Sequence, residues 1–324
     1  MASDTLAISV LIPTHNRAQL LRRTLESLRE VKAPHGIMAE IVVVANACTD
    51  ATTDVCAALA ASFPLPLRWV VESNVGASHA RNRLLAEARG DILAFLDDDV
   101  FVEHRWLEGL LEVFAQYPAG LVAGRVELWW DAVARPRWLT HRSAHLLSCV
   151  DYGSRVRELL TAGEAISANL AIRRCVLKDV SQFRTDVDRV GRQVVGGGDT
   201  DFIARALAAG HRMFYAPRAS IRHWVAPERI TMDYLGRAAR GLGLGKVLTM
   251  HDLSPYHYGK ILIENGVKIG FYAAMEKLSV VAGYQKGQIN QHIRRMTCHG
   301  TLEALRTHRT AKRRMPVDAP PRRD

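Results

Sequence analysis

In the first hundred residues, apolar positions fall into short unbroken runs separated by helix-length stretches. Ile8-Ser9-Val10-Leu11-Ile12 is the first run, closed by Pro13-Thr14-His15-Asn16. Glu40 to Ala45 is the second, closed by Asn46-Ala47-Cys48-Thr49-Asp50, and Leu67 to Val71 and Ile92 to Leu96 follow. Runs of this length without polar alternation predict strands buried on both faces of a sheet. Between them, Leu20, Leu21, Leu25 and Leu28 share one helical face. Residues 51–62 carry a second helical pattern, and Gly76 to Arg89 a third, with Asn74 and Ser78 as start signals. Strands alternating with helices predict a mostly parallel sheet covered on both faces.

In such sheets ligands bind beyond the carboxyl ends of the strands. Four consecutive strands deliver polar residues there: Thr14, His15 and Asn16; Asn46 and Asp50; Asn74; and Asp97-Asp98-Asp99. Turn chemistry accounts for Asn74 and Asp50. It does not account for the acidic triplet. A helix opening near Trp106 needs one capping Asp, not three. Adjacent carboxylates repel and desolvate poorly, so they need a cation or a ring of donors, and a divalent cation carrying a diphosphate would satisfy them.

Beyond residue 120 the pattern loosens. Leu121 to Leu128 predicts a strand, Trp129-Trp130 through Trp138 a Pro-interrupted loop, and Ala168 to Ile172 a short strand. The Trp cluster suits either sugar stacking or core filling. Gly196-Gly197-Gly198-Asp199-Thr200-Asp201-Phe202 opens a helix expected over Asp201 to Ala209. Met213 to Ala216 and Ser220 to Trp224 are expected as two strands joined by a turn at Pro217. The last third is mostly helical. Lys260, Glu264, Lys268 and Glu276 lie near one side of a helix, with Ile261, Ile263, Val267, Phe271 and Leu278 mainly elsewhere.

Charge divides the chain. The net charge is +10, and from residue 226 onward 17 Lys/Arg face 8 Asp/Glu, so +9 belongs to the C-terminal third. A basic appendage on a neutral body suits anionic lipid or an acidic acceptor, and it equally suits packing on the domain with its Lys and Arg solvated. No recognition motif points to nucleic acid. Five scattered cysteines with no CxxC pair argue against a disulfide framework or zinc ribbon and fit a reducing cytoplasm. Met1 to Leu6 does not read as a secretory leader, and no uncharged apolar run approaches the ~20 residues of a spanning helix. A cytoplasmic protein, peripheral at the inner face of the cell membrane, is expected.

The order Pro13-Thr14-His15-Asn16-Arg17, Asn46-Ala47-Cys48-Thr49-Asp50, Asn74-Val75-Gly76 with Ala80-Arg81-Asn82, and Asp97-Asp98-Asp99 resembles the family 2 glycosyltransferases. Gly197-Gly198-Asp199-Thr200-Asp201-Phe202 looks like that family's acceptor-side Gly-Glu-Asp-x-Asp motif. The resemblance spans about residues 6–225. It implies a GT-A (Rossmann-like) mixed α/β sheet flanked by helices, a nucleotide-diphosphate sugar donor, Mn²⁺ or Mg²⁺, and inverting transfer to a saccharide or lipid-linked acceptor. Cell-surface polysaccharide or glycoconjugate synthesis is the implied setting. The expected organisation is a catalytic domain over 1–225, split near 125 into donor and acceptor halves. A helical extension over 226–305 and a disordered basic tail over 306–324 follow.

Carried over by position, the resemblance puts Pro13, Thr14 and Asn16 at the nucleoside, Asn46 at the base, and Asp97 and Asp98 on the donor. Asp99 becomes the metal ligand, His223 a second one, and Asp199 the base for the acceptor hydroxyl. Arg81 is placed to pair with a phosphate. Residue chemistry alone also allows simpler roles: a helix cap for Asp199, a core position for His223, a solvated Arg81. Two positions depart from the family. Asn46 stands where an acidic residue is usual, and an amide donates as well as accepts. Gly198 stands where Glu usually precedes the catalytic Asp, leaving Asp201 or a substrate group to substitute. The competing readings are a nucleotidyltransferase and a catalytically degenerate homologue. The first strand is followed by one Arg and no Gly, which weighs against a triphosphate loop.

Overall fold

The computed structural model describes residues 6–32, 34, 36–186, 197–248 and 254–314. The first four strands form where the apolar runs predict them: β1 (Leu6–Thr14), β2 (Met38–Asn46), β3 (Leu67–Glu72) and β4 (Ile92–Leu96). They alternate with α1 (Ala18–Leu28), α2 (Thr52–Ala60) and α3 (Ala77–Glu87). The order β3-β2-β1-β4 is parallel throughout. Its carboxyl edge therefore gathers the ends of β1, β2 and β4, with β1 at the centre.

The rest of the sheet is mixed. It comprises β5 (Val100–Val102), β6 (Leu121–Trp129), β7 (Arg157–Leu159), β8 (Asn169–Arg173) and β9 (Met213–Trp224). The sheet continues β4-β8-β6-β9-β5, and β7 pairs with β9. β8 runs antiparallel to both β4 and β6, so parallel order ends at β4. Helices α4 (Trp106–Gln116), α5 (His141–Leu146) and α6 (Gly198–Ala208) complete this half.

Two sequence expectations are corrected here. β9 is one strand running through Pro217, not two strands and a turn. Its pairing to β6 jumps from Gly124↔Ala216 to Arg125↔Ser220, and the intervening residues bulge. A bulge tolerates a residue with no amide hydrogen, and the Asn169 side chain donates to Arg125 O and Ala219 O there. Helix α6 begins at Gly198, so Asp199 lies inside its first turn rather than ahead of it.

One large apolar core fills the space between sheet and helices, from Ile8 on β1 to Ile221 on β9. The C-terminal third consists of α7 (Met232–Leu248), α8 (Pro255–Val281) and α9 (Gln285–Arg314). A smaller cluster of Leu147, Val225, Leu235, Ala239, Ile289 and Ile293 fastens α7 and α9 to the body. Helices α7 and α9 approach closely: a Cβ on Gly300 would overlap the Arg240 carbonyl. Helix α9 continues to Arg314, past the point where the tail was expected to begin. Residues 306–314 contain neither Gly nor Pro, so an established helix propagates through them, and Pro316 is the first breaker. Residues 315–324 of that expected tail lie outside the described residues. No described helix is long and apolar enough to cross a membrane.

Candidate active site

The acidic triplet is the tight link between β4 and β5. β5 pairs antiparallel with β9 in the register Val100↔His223, and Trp224 N donates to Asp99 O. That register sets the buried His223 beside the triplet. His223 Nε2 lies 3.6 Å from Asp97 Oδ2 and 3.3 Å from Asp99 Oδ1. Its Nδ1 is 3.1 Å from Trp224 O. A carbonyl only accepts, so in neutral imidazole Nδ1 carries the hydrogen and Nε2 presents a lone pair. Asp99 Oδ1 is buried with no hydrogen-bond partner. In that form two lone pairs face one another, and either a cation held between them or a proton on Nε2 removes the repulsion. Metal-bound histidines carry this same back-bond from the second nitrogen.

Asp97, Asp99 and His223 offer ligand atoms that all lie within 4.8 Å of one another. Two carboxylates and an imidazole suit Mn²⁺ or Mg²⁺ that keeps other positions for phosphate oxygens. Asp98 does something else. Thr14 Oγ1 donates to its Oδ2 at 2.7 Å, and Arg17 Nη1 to its Oδ1 at 3.0 Å. Burial pushes the Asp98 carboxyl up to about 6, with Arg17 opposing and the Asp99 and Asp97 charges adding. Arg17 also reaches Asp99 Oδ2 at 3.0 Å, and Arg229 reaches the same oxygen at 3.4 Å. Two guanidiniums against three carboxylates leave one negative charge, a further reason for a cation.

Asp199 lines the same cleft from α6. Ser167, just ahead of β8, donates to Asp199 Oδ2 from both its backbone N and its Oγ, each at 3.2 Å. Arg81 on α3 holds the Ser167 hydroxyl at 2.8 Å through Nη2. The helix-cap reading is the weaker one, because Gly197 is the capping residue and Asp199 reaches only the adjacent Thr200 N. Asp201 does not stand in for the absent acidic residue at 198. It is buried against Arg205 at 2.8 Å and Arg184 at 3.6 Å, outside the cleft lining. Position 198 itself admits no side chain without movement: a Cβ there would lie 2.9 Å from Ser78 Oγ.

Asn46 is buried at the end of β2 and lines the cleft, but its amide is occupied. Nδ2 donates to Glu72 O at 3.2 Å and Asn74 O at 2.6 Å, and Oδ1 accepts from Gly76 N at 2.9 Å. The side chain thus shapes the loop from β3 to α3. Asn16 stands outside the lining, at a positive φ of 51°, and its Oδ1 accepts from Thr49 N and Asp50 N. Asp50 in turn accepts from Ala18 N and Thr52 N, capping α1 and α2, as turn chemistry suggested. None of Trp129, Trp130 and Trp138 reaches the cleft. Trp129 packs on Phe101 and Arg23, and the other two on the cluster beneath α7.

The cleft that joins these groups holds about 610 Å³. Pro13, Thr14, His15, Asn46, Arg81, Asp97, Asp98, Asp199 and His223 all border it, as do Arg17, Ser167 and Arg229, which sequence reasoning had not assigned. His145 and Tyr234 also border it.

Residues 9–180 match the profile described as glycosyl transferase family 2, more than half of the chain. The chain belongs to that family. It is a glycosyltransferase. The succinoglycan biosynthesis protein ExoM of Rhizobium meliloti is 28% identical over 240 residues, 73% of each chain. Glycosyltransferase AglE of Haloferax volcanii is 25% identical over 67% of this chain and 66% of its own. Among solved structures, the mannosyltransferase PcManGT of Pyrobaculum calidifontis, in complex with GDP-Man and Mn²⁺, superposes with a TM-score of 0.64. It shares 21% identity and covers 92% of this chain and 86% of its own. Residues 1–349 of TarS from S. aureus, in complex with UDP, give 0.53 at 16% identity, covering 94% and 92%. The glycosyltransferase fold is therefore GT-A, with the C-terminal helices included in the likeness.

Proposed function

We propose that this enzyme transfers a glycosyl group, with inversion, from a nucleoside-diphosphate sugar to an acceptor hydroxyl. The carrying observation is that one cleft joins a cation-demanding trio, Asp97, Asp99 and His223, to a carboxylate, Asp199, oriented by two donors. Mg²⁺ or Mn²⁺ held by that trio would neutralise charge developing on the diphosphate leaving group. Arg17 and Arg229 lie at the same edge and add positive charge toward the phosphates. Asp98, fixed by Thr14 and Arg17, faces the donor ribose and sugar. Pro13 and the loop shaped by Asn46 flank the nucleoside, so Asn46 acts on the base through the loop it holds.

Asp199 takes the proton from the acceptor oxygen as that oxygen bonds to the anomeric carbon. The bond from that carbon to the phosphate oxygen breaks, and the nucleoside diphosphate leaves with the electron pair. A positioned base of this kind contributes about 10²–10⁴-fold. Ser167, itself held by Arg81, takes over the orienting work that Gly198 cannot do, which favours an active enzyme over a degenerate homologue. The relationship to a succinoglycan biosynthesis protein supports a saccharide or lipid-linked acceptor in cell-surface polysaccharide or glycoconjugate synthesis. Free cysteines throughout the described chain and the basic C-terminal helices support a cytoplasmic enzyme peripheral to the inner membrane face.

The test is nucleotide release from a panel of sugar donors with Mn²⁺ or Mg²⁺ and an oligosaccharide or polyprenyl-phosphate-linked acceptor. Turnover that Asp199→Asn abolishes supports the reading. Undiminished turnover in that variant removes Asp199 from the mechanism.

A further inference from the structure

Helix α8 is apolar on two sides and covered on one. Its inner side packs along α9, with Tyr258 and Ile261 against Val247, Ala304 and Leu305, and Glu276 paired to His292 and Arg295. Its outer side carries Tyr256, Ile263, Val267, Phe271, Leu278 and Val281, each more than half exposed and Val281 86% exposed. The spacings of three, four and seven residues put these six on one face. The stripe runs the length of the helix, about 38 Å at 1.5 Å per residue. Scattered exposed apolar residues need no explanation, but a contiguous stripe of this length marks an interaction surface.

We propose that this outer face of α8 lies in the interfacial layer of an anionic membrane, parallel to its plane. The inference rests on the membrane-associated transferase proposed above and names the surface responsible. Three observations select lipid. Residues 254–314 hold eleven Lys/Arg against three Asp/Glu, a net charge of +8, of which α8 itself carries +1 (Lys260, Lys268 and Lys277 against Glu264 and Glu276) and the adjoining α9 +7. Exposed Lys260 lies within the stripe, four residues after Tyr256 and three before Ile263, and exposed Lys277 and Glu264 lie beside it; the long Lys stems let the ammonium groups reach lipid headgroups. The helix cannot span a bilayer, which leaves lying on it. A second copy fits less well: a twofold contact through the middle of the stripe would set Lys260 of one chain against Lys277 of the other. The arrangement also serves the site. Tyr234, Ala238 and Leu242 of α7 line the cleft, α7 packs on α9, and α9 carries α8, so a membrane-seated α8 holds the cleft at a fixed distance from a lipid-linked acceptor.

The experiment is flotation of the full chain with phosphatidylcholine vesicles, with and without phosphatidylglycerol, at low and high salt. The comparison protein is Val267→Ser/Phe271→Ser. Both side chains are exposed, so the variant keeps the wild-type melting temperature. The wild type is expected to float with the anionic vesicles and to stay partly bound when salt screens the charges. The variant is expected to lose about tenfold or more in binding. A variant that floats like the wild type overturns the proposal in favour of charge alone. So does a wild-type dimer that the variant breaks, with neither protein floating. Thermal stabilisation by nucleoside diphosphate and Mn²⁺, measured on both proteins, separates this from the transferase reading: its absence counts against the donor site and leaves the flotation result standing.

Discussion

Ser167 grips Asp199 twice at one oxygen, through its backbone amide and its hydroxyl, each at 3.2 Å. The hydroxyl is itself fixed by Arg81 at 2.8 Å, so α3, the segment before β8 and α6 are tied together behind the proposed base. A hydrogen bond to a charged group is worth about 1.5–3 kcal/mol. Ser167→Ala is accordingly expected to lower kcat by about tenfold or more, with donor KM unchanged and only a modest fall in melting temperature. Ser167→Thr should restore most of the rate. A fall in thermal stability matching the loss of rate would mean that Ser167 holds the fold and not the base.

His223 Nε2 and Asp99 Oδ1 lie 3.3 Å apart. Removing either ligand should weaken Mn²⁺ binding by at least about 100-fold, since even outer partners of metal ligands are worth 10–100-fold. Calorimetric titration of His223→Ala and Asp99→Asn with Mn²⁺ checks this without recourse to activity. Wild-type affinity in both variants would dismantle the proposed metal site.

Asn46→Asp restores the acidic residue usual in the family, and it is expected to damage this protein. A carboxylate cannot donate to Glu72 O and Asn74 O, so the loop that carries Gly76 loses two of its three ties and faces a repelling charge. Nucleotide affinity should fall about tenfold and stability by about 1–3 kcal/mol. Tighter nucleotide binding by this variant would show that Asn46 acts directly on the base.

Asp50 provides the pH dependence. Its carboxyl lies below the usual range: burial, the largest single influence, raises it, and the hydrogen bonds from Thr52 and Ala18 together more than offset that. A depressed folded-state value contributes stability above the ordinary Asp value of about 3.9 and loses it as pH falls through that range. Asp50→Ala should cost about 1 kcal/mol near neutral pH, as lost helix caps do. The difference from wild type should shrink on acidification. Denaturant melts at several pH values test it, and a gap that widens in acid would refute it.

The parallel half of the sheet and the acidic triplet were legible because their signals are local. A run such as Ile92 to Leu96 can only be buried, and three adjacent carboxylates cannot be without a partner. The partners themselves were not legible from residue chemistry. His223 reaches the triplet through the pairing of β5 with β9, more than a hundred residues apart in sequence, and only the family resemblance suggested it. Arg229 and Ser167 carry no local pattern at all. Arg17 was in view within the Pro13-to-Arg17 string, yet nothing in that string shows that its guanidinium turns onto Asp98 and Asp99. Pro217 misled because a proline reads as a turn, whereas the Asn169 amide satisfies the carbonyls of a bulge there and lets one strand continue.

The cation-dependent donor site is tested by thermal stabilisation with UDP, GDP, dTDP and CDP, each with and without Mn²⁺. One nucleotide is expected to give a shift that requires Mn²⁺, vanishes in His223→Ala and persists in Ser167→Ala. A shift that is indifferent to Mn²⁺, or none with any of the four, would contradict it.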